Sequence, residues 1–226
     1  PGFINITLES ASQGSVVIEI LTAGKKYGQG QSLAGKKINL EFVSANPTGP
    51  IHLGHTRWAA VGDSLGRVLS AAGAQVSREF YVNDRGNQMD LFGQSLRAAA
   101  LGIDRPENGY HGEYIADLAS EITKVNPEFT KLDEESSMVA FREAGYKLQL
   151  DLQREVLENF GTHFDTWFSE RSLYEDNFFN HTLDKLKSNG HVYEEDGAIW
   201  LRTTDFGDDK DRVMIKSDGS FAYFAS

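Results

Sequence analysis

The chain has 226 residues and a net charge of −11, and 40% of its residues are hydrophobic. This length fits one large domain or a domain with a small neighbour, and no apolar run approaches the roughly 20 residues that a membrane-spanning helix needs. The acidic balance disfavours a general nucleic-acid binder, and the absence of cysteine excludes disulfides and cysteine nucleophiles and indicates a reducing, cytoplasmic setting.

The first elements predict a small unit, residues 1–33, ahead of the main domain. Alternating apolar residues from Ile4 to Leu8 favour a half-buried strand, and Val16 to Ala23 is a short apolar helix candidate. The polar segment 24–30 contains three glycines, which is typical of a linker. Because the chain begins within a strand pattern, we expect it to be a piece of a longer protein.

Strands and helices alternate through residues 34–101. The pattern predicts a strand, a helix, a second strand and a second helix, over Lys37–Val43, Pro50–Ala72, Val76–Val82 and Gln88–Leu101. This order is typical of a βαβ unit in a parallel sheet, so we predict an α/β, Rossmann-like fold. Near one face of the first helix lie Leu53, Trp58, Val61, Leu65, Val68 and Leu69. We expect Trp58 to be a core residue.

The pattern changes after Leu101. Helices are predicted over Tyr114–Val125, Glu134–Phe160 and Phe178–Leu186. Short strands separated by Asp-Gly or Gly-Asp pairs follow, and Asp-Gly between such strands is a hairpin signal. We interpret residues 102–205 as an insertion of helices and hairpins in the α/β domain, and residues 206–226 as the return to that domain.

The run from Glu41 to His55 carries the strongest chemical signal. It joins the end of a strand to the start of a helix, where unpaired backbone N–H groups and the helix dipole bind anions. His52 and His55 lie three apart on the first turn, so both imidazoles can face one point and hold phosphate oxygens. Gly54 between them would let a flat nucleotide base approach the backbone. The run therefore predicts an ATP phosphate site.

Three polar side chains within and directly after the first strand indicate a second ligand. Ser44 and Asn46 follow the strand, at the end where ligands of open α/β sheets bind. Glu41 lies within an otherwise apolar strand, and a carboxylate there needs a partner. Either the strand is an exposed edge with Glu41 in solvent, or the carboxylate is reserved for a cationic ligand, which a guanidinium suits best.

Four blocks, in order, resemble the arginyl-tRNA synthetases, which are class I aminoacyl-tRNA synthetases. The blocks are Glu41–Pro50 with His52–His55, then Tyr81–Asp84, then Phe206–Arg212, then Lys216–Gly219 leading to Tyr223. The resemblance implies ATP-dependent ligation of L-arginine to its tRNA through an arginyl-adenylate, with ATP as its magnesium complex and no tightly bound cofactor. Residues 1–33 would be the C-terminal end of a small α+β domain that contacts tRNA. We expect a monomer that does not associate with membranes.

The resemblance also implies a role for each matching residue. His52 and His55 would be the catalytic pair that holds the ATP phosphates, and Gly54 would lie under the adenine. Thr48 and Pro50 would complete the ATP site. The arginine substrate would be bound by Glu41, Ser44, Asn46, His55, Asp84, Gln88 and Tyr223. No metal site of the protein itself is implied.

The block from Phe206 to Arg212 alternates acids and bases. Asp208, Asp209 and Asp211 are interrupted by Lys210 and Arg212. Three nearby aspartates could resemble a metal site, but the alternation favours a charge network or a contact with the tRNA end. We prefer the structural network.

One family signature, Lys-Met-Ser-Lys, is absent from the chain. Some members carry a lysine before the histidine motif instead, but here that position is Gly49. We therefore expect the lysine loop, and the aspartate that grips the guanidinium, to lie beyond Ser226, and the chain alone to have little or no activity. Two alternatives stay open: a small nucleotidyltransferase of the same superfamily, and a non-catalytic binding module derived from a synthetase.

Overall fold

The computed structural model describes residues 2–7, 9–175, 178–222 and 224, and these contain two three-stranded sheets. The parallel sheet has the order β1 (Lys37–Glu41), β2 (Gln75–Val82), β3 (Thr166–Ser169). The antiparallel sheet has the order β4 (Val192–Glu195), β5 (Ala198–Leu201), β6 (Arg212–Ile215). The helices are α1 (Ser10–Ala23), α2 (Leu53–Ala71), α3 (Asn87–Leu101), α4 (Glu113–Val125), α5 (Glu134–Phe160), α6 (Ser172–Glu175) and α7 (Phe178–Ser188).

The predicted βαβ unit is confirmed. β1 and β2 pair in parallel with Lys37 opposite Gln75 and Glu41 opposite Glu79, and α2 connects them. This connection brings the carboxyl end of β1 and the amino end of α2 to one edge of the sheet, which is where open α/β sheets bind ligands. The α/β, Rossmann-like prediction therefore holds for the part of the chain that builds the candidate site.

The third strand of this sheet, β3, was not predicted. It runs parallel to β2, with Glu79 opposite Thr166 and Val82 opposite Ser169. Four residues are too few to show an alternating pattern, and the sequence Thr-Trp-Phe-Ser directly follows a long helix. Residues 102–205 thus contribute a strand to the sheet of residues 34–101, besides the helices expected of an insertion. Their assignment as a separate insertion stays a proposal.

The hairpins near the end of the chain are confirmed. Asp196 and Gly197 connect β4 to β5 with φ values of 51° and 75°, and positive φ at both turn positions is what a type I′ hairpin requires. β6 pairs with β5, and Ile215 bridges to Phe221. Described residues after 206 therefore extend the antiparallel sheet before they reach the parallel one.

The predicted N-terminal strand is wrong for residues 2–7, and Leu8 lies outside the described residues. Residues 2–7 have no strand pairing, and the side chains of Ile4 and Ile6 are exposed. An alternating pattern forms a strand only beside another strand edge, and none of the described strands pairs with this segment. The helix predicted from Val16 is confirmed and begins earlier, at Ser10.

The buried face of α2 is not the predicted one. Leu53 and Val68 are 88% and 65% exposed, and Trp58, expected in the core, is 49% exposed. The buried residues are small: Ala59, Gly62 and Gly66. A Cβ on Gly62 would lie 2.2 Å from the ring of Phe42, so α2 lies too close to the sheet for large side chains on that face.

Gly62→Ala is expected to lower the free energy of unfolding by about 2 kcal/mol. The Phe42 ring also packs on Phe164, with 4.6 Å between the ring centroids, so it cannot simply move away from a new methyl group. Gly14→Ala is the control, because nothing surrounds a Cβ there and alanine favours a helix by up to about 1 kcal/mol. Urea denaturation measures both variants. An unchanged midpoint for Gly62→Ala would contradict the close approach.

Helix α5 joins the two hydrophobic cores of the chain. One core lies among α3, α4 and α5 and includes Phe92 and Phe141. The other lies between the parallel sheet and α5 and includes Phe80 and Leu157. The 27 residues of α5 therefore reach from the α-helical layer to the loops at the edge of the sheet. No helix in the described ranges is long and apolar enough to cross a membrane.

Candidate functional site

His52 and His55 form a fixed pair at the start of α2. His52 is the N-cap residue, and its Nδ1 accepts from the backbone N–H of Gly54 at 3.1 Å. The backbone N–H of His52 donates to Nδ1 of His55 at 3.3 Å, and the two rings stack with 3.7 Å between centroids. A nitrogen that accepts a hydrogen bond cannot carry the proton. Each neutral ring therefore carries its N–H on Nε2, as a donor free for a ligand.

The electrostatics keep the second ring neutral. Partial burial, and then the neighbouring His52, lower the pKa of His55 from its ordinary value of 6.5. The packing gives a further reason for glycine at position 54, because a Cβ there would lie 2.9 Å from Cε1 of His52. The glycine allows the His52 ring to fold back over the helix start, and its predicted place under an adenine stays a proposal.

The loop before the histidines carries Thr48 and Pro50. Thr48 is buried, and its carbonyl oxygen accepts from Tyr114 Oη at 2.9 Å. Pro50 is exposed and precedes the helix, which begins at Leu53 with His52 as its cap. The predicted helix start at Pro50 is therefore three residues early, because the His52 side chain supplies the cap.

The end of β1 contains a strained turn. Val43 and Ser44 have φ values of 66° and 45°, which is rare for any residue but glycine and especially for a β-branched one. Such strain is concentrated at functional sites. The turn brings Ser44 Oγ within 2.6 Å of Glu41 Oε1, to which it donates, and Ser44 Oγ accepts from the backbone N–H of Tyr81 at 3.1 Å. The Glu41 carboxylate is thus held in place without a ligand.

A cavity of about 850 Å³ opens where the three parallel strands end. Its wall includes Glu41 at the end of β1, Asn83 and Arg85 after β2, and Glu170 after β3. Gln88 also lines it, and its predicted contact with arginine stays a prediction. The other lining residues are Tyr81, Gly86, Asn87, Tyr174, Gly219, Ser220, Phe221 and Ala222. The last four bring the Lys216–Gly219 block and its continuation to the cavity.

The remaining predicted residues lie in three different places. Ser44 supports Glu41 from behind and is not part of the cavity wall. Asn46 is exposed, and its carbonyl oxygen accepts from Gln153 Nε2 at 2.9 Å. Tyr223 lies outside the described residues, although its neighbour Ala222 lines the cavity.

Asp84 is buried beside the cavity rather than in its wall. Its Oδ2 accepts from Tyr146 Oη at 2.9 Å and from Ser169 Oγ at 2.5 Å, and its Oδ1 accepts from the backbone N–H of Arg171 at 3.1 Å. These partners come from α5 and from the end of β3. The carboxylate is fully used in joining them to β2, so the geometry gives Asp84 a supporting role and not the predicted direct contact.

Four charged or aromatic residues of the cavity were missed from the sequence. Glu170 follows the unpredicted β3, and burial raises the pKa of its carboxyl, against the nearby Arg85. The Arg85 guanidinium lies over the Tyr174 ring, 3.5 Å from its centroid. Burial, followed by Glu170, raises the pKa of Tyr81 to about 12. The cavity wall therefore combines two carboxyl groups, one guanidinium and two phenols.

The block from Phe206 to Arg212 forms a structural network of charged side chains, which is the interpretation that we preferred from the sequence. Arg212 Nε and Nη2 donate to the two oxygens of Asp208, each at 2.8 Å, and Nη2 also donates to Asp209. Asp211 accepts from the backbone N–H and the hydroxyl of Thr204. Arg212 holds the pKa of Asp208 well below its usual range. Among the described residues, no group of histidines and carboxylates is arranged as a metal site.

Comparison with known proteins decides the family. Residues 16–226 match the family model of the catalytic domain of the class I tRNA synthetases for arginine. The chain belongs to this family. It is 51% identical over 226 residues to an arginine–tRNA ligase of Renibacterium salmoninarum and 48% identical to one of Paenarthrobacter aurescens, and it spans 41% of each.

Solved structures of arginyl-tRNA synthetases agree with this assignment. A Campylobacter jejuni protein described as an arginyl-tRNA synthetase superposes with a TM-score of 0.85 and 36% identity, over 96% of this chain and 49% of that one. The Thermus thermophilus arginyl-tRNA synthetase has a TM-score of 0.61 over 84% of this chain and 34% of its own, and at 22% identity it supports the fold alone. Family membership sets aside the small nucleotidyltransferase as a separate family.

Proposed function

We propose that this chain binds ATP and L-arginine for the ATP-dependent ligation of L-arginine to its tRNA through an arginyl-adenylate. One observation carries the proposal. The segment from Glu41 to His55 builds a pair of imidazole donors and contributes Glu41 to the wall of a cavity that is lined by two carboxylates. Transfer of an activated amino acid needs an anion site next to a site for the amino acid, and here a single strand–turn–helix supplies both.

The histidine turn is proposed to hold ATP, supplied as its magnesium complex. Nε2–H of His52 and of His55 would donate to phosphate oxygens, and the amino end of α2 would add its dipole. Thr48 and Pro50 would shape the loop beside them, and Gly54 would lie under the adenine. Donors that are already oriented stabilise charge on the α-phosphate without reorganising during the reaction.

The cavity is proposed to hold arginine because their charges match. Arginine carries a guanidinium, an ammonium and a carboxylate. The wall offers two carboxylates, Glu41 and Glu170, and one guanidinium, Arg85. Guanidinium–carboxylate pairs are the strongest of the charge-assisted hydrogen bonds available here. Gln88, Asn46 and Tyr223 would complete the contacts, while Ser44 and Asp84 would hold the wall in place.

The reaction needs no nucleophile from the protein. A carboxylate oxygen of arginine attacks the α-phosphorus of ATP, a new O–P bond forms, and the bond to pyrophosphate breaks. A hydroxyl at the 3′ end of the tRNA then attacks the arginyl carbonyl, and AMP leaves. Positioning and charge stabilisation account for catalysis of both steps. We further propose that the enzyme is monomeric and cytoplasmic.

Charging of tRNA by the full-length protein tests the proposal. We expect aminoacylation with arginine and at least about 1,000-fold lower kcat/KM with citrulline, which has the same shape but whose side chain carries no charge to pair with the carboxylates of the cavity wall. Lysine should also fail, because a point charge does not fill the place of a planar guanidinium. ATP binding without arginine-dependent charging would instead support a non-catalytic module.

A further inference from the structure

The loop before the histidine turn has little backbone support of its own. Residues 45–51, all of which the structure describes, lie outside the helices and strands and contain a turn at residues 47 and 48 but no further backbone–backbone hydrogen bond. Pro47 and Pro50 have no N–H to offer. Yet this loop enters His52 directly, so its position sets the position of the imidazole pair. Something outside the loop must hold it.

Two side chains from residues 102–205 supply the missing partners. Gln153 on α5 is 1% exposed, and its Nε2 donates to the carbonyl oxygens of Asn46 at 2.9 Å and of Gly49 at 2.7 Å. Tyr114 on α4 donates from Oη to the carbonyl oxygen of Thr48 at 2.9 Å. Three carbonyl groups within four residues are therefore held by donors from two different helices.

The chemistry of both donors is unambiguous. Two carbonyl oxygens face the Gln153 amide, and only its NH₂ end can donate to both, so the orientation of the amide is fixed. Gln153 Oε1 then has no protein donor among the described residues, a cost that an apolar residue would avoid. Burial raises the pKa of Tyr114 to about 12, so its hydroxyl remains a donor at neutral pH.

We propose that Gln153 and Tyr114 are positioning residues for ATP, because they clamp the Asn46–Gly49 loop and thereby hold His52 and His55 in place. This inference rests on the proposed function. It assigns to residues 102–205 a part in the ATP site, although these residues contribute no group to the histidine turn itself. On the same helix, Tyr146 supports the other half of the site through Asp84.

Gln153→Met and Tyr114→Phe test the clamp, because each nearly keeps the size of the side chain and removes its hydrogen-bonding atoms. In the full-length protein, we expect the KM for ATP to rise about tenfold for Gln153→Met and about threefold for Tyr114→Phe, with the KM for arginine changed less than about twofold. Steady-state arginylation with each substrate varied in turn gives both constants. Calorimetry gives the Kd for ATP independently of charging.

Tyr146→Phe is the matched control on α5, and it should show the reverse pattern: a higher KM for arginine and an unchanged KM for ATP. Glu155→Gln, at an exposed residue of the same helix, should change neither KM.

An unchanged Kd for ATP in both clamp variants, or equal rises in the KM for ATP and the KM for arginine, would overturn the clamp. If Gln153→Met does not fold, Tyr114→Phe decides alone. A wild-type protein that binds ATP but never charges tRNA would refute the proposed function, while the Kd for ATP would still test the clamp.

Discussion

Replacing Glu41 with glutamine is expected to lower kcat/KM for arginine by about 100-fold and to leave the KM for ATP within about twofold of wild type. Glu41 ends β1 and lines the cavity, with Ser44 Oγ donating to its Oε1 at 2.6 Å. The carboxylate is thus fixed before a ligand arrives and needs no reorganisation on binding. Glutamine keeps the size of the side chain but removes the charge and presents amide hydrogens to a cation.

Glu79→Gln is the matched control for this prediction. Glu79 lies opposite Glu41 in the parallel register of β1 and β2 but is not part of the cavity wall. The control removes the same charge from the paired position of the neighbouring strand, and we expect a change below about threefold. Steady-state arginylation compares the two. Equal losses would show that the general negative field attracts arginine and that Glu41 makes no specific contact.

The predicted site differs from the observed one because only some of its parts have a sequence pattern contained in one continuous stretch of the chain. The βαβ unit was predictable because β1, α2 and β2 each carry their own periodicity, and the histidine turn because its residues are contiguous. The part of the cavity wall that follows β3 was not predictable. β3 is only four residues long, and the strand that pairs with it lies 87 residues earlier in the chain, with Glu79 opposite Thr166. Glu170 therefore joined the cavity without any local signal.

Two other differences between expectation and structure share a single physical cause, which is tertiary packing. The apolar pattern of α2 indicates a face, but the close approach of Gly62 to Phe42 decides that small residues are buried. Asp84 follows a strand at the correct edge, as a ligand-binding carboxylate would, but Tyr146, Ser169 and Arg171 already occupy it. Neither outcome is visible in the sequence, because each depends on how separate elements pack against one another.

Replacing His55 with alanine is expected to lower kcat by about 100- to 1,000-fold, as for the loss of one preorganised donor to developing charge. The variant removes the proposed Nε2 donor and also the Nδ1 acceptor that holds the backbone N–H of His52 at 3.3 Å. The second loss should cost about 1 kcal/mol of stability, as for other helix caps. Thermal unfolding separates this small structural effect from the large catalytic one.

His181→Ala is the control for the His55 variant, since His181 is exposed on α7 and belongs to neither half of the site. We expect its kcat to remain within about twofold of wild type. Single-turnover measurements of adenylate formation and of transfer to tRNA show which step is slowed. A normal rate of adenylate formation in His55→Ala would contradict the role of the turn in holding the α-phosphate.

The pH dependence of kcat/KM for ATP gives a second test of His55. Partial burial and the adjacent His52 lower the pKa of His55 from 6.5, because both disfavour the imidazolium. As the pH falls, His55 therefore stays neutral to a lower pH than an ordinary histidine. Once it is protonated, Nδ1 can no longer accept from the backbone N–H of His52, and the turn loosens. Because kcat/KM reports the free enzyme, we expect the acid limb of the pH profile of kcat/KM to lie below pH 6.5. An acid limb at or above that pH would contradict a neutral His55 whose Nδ1 accepts a hydrogen bond, on which the proposed ATP site depends.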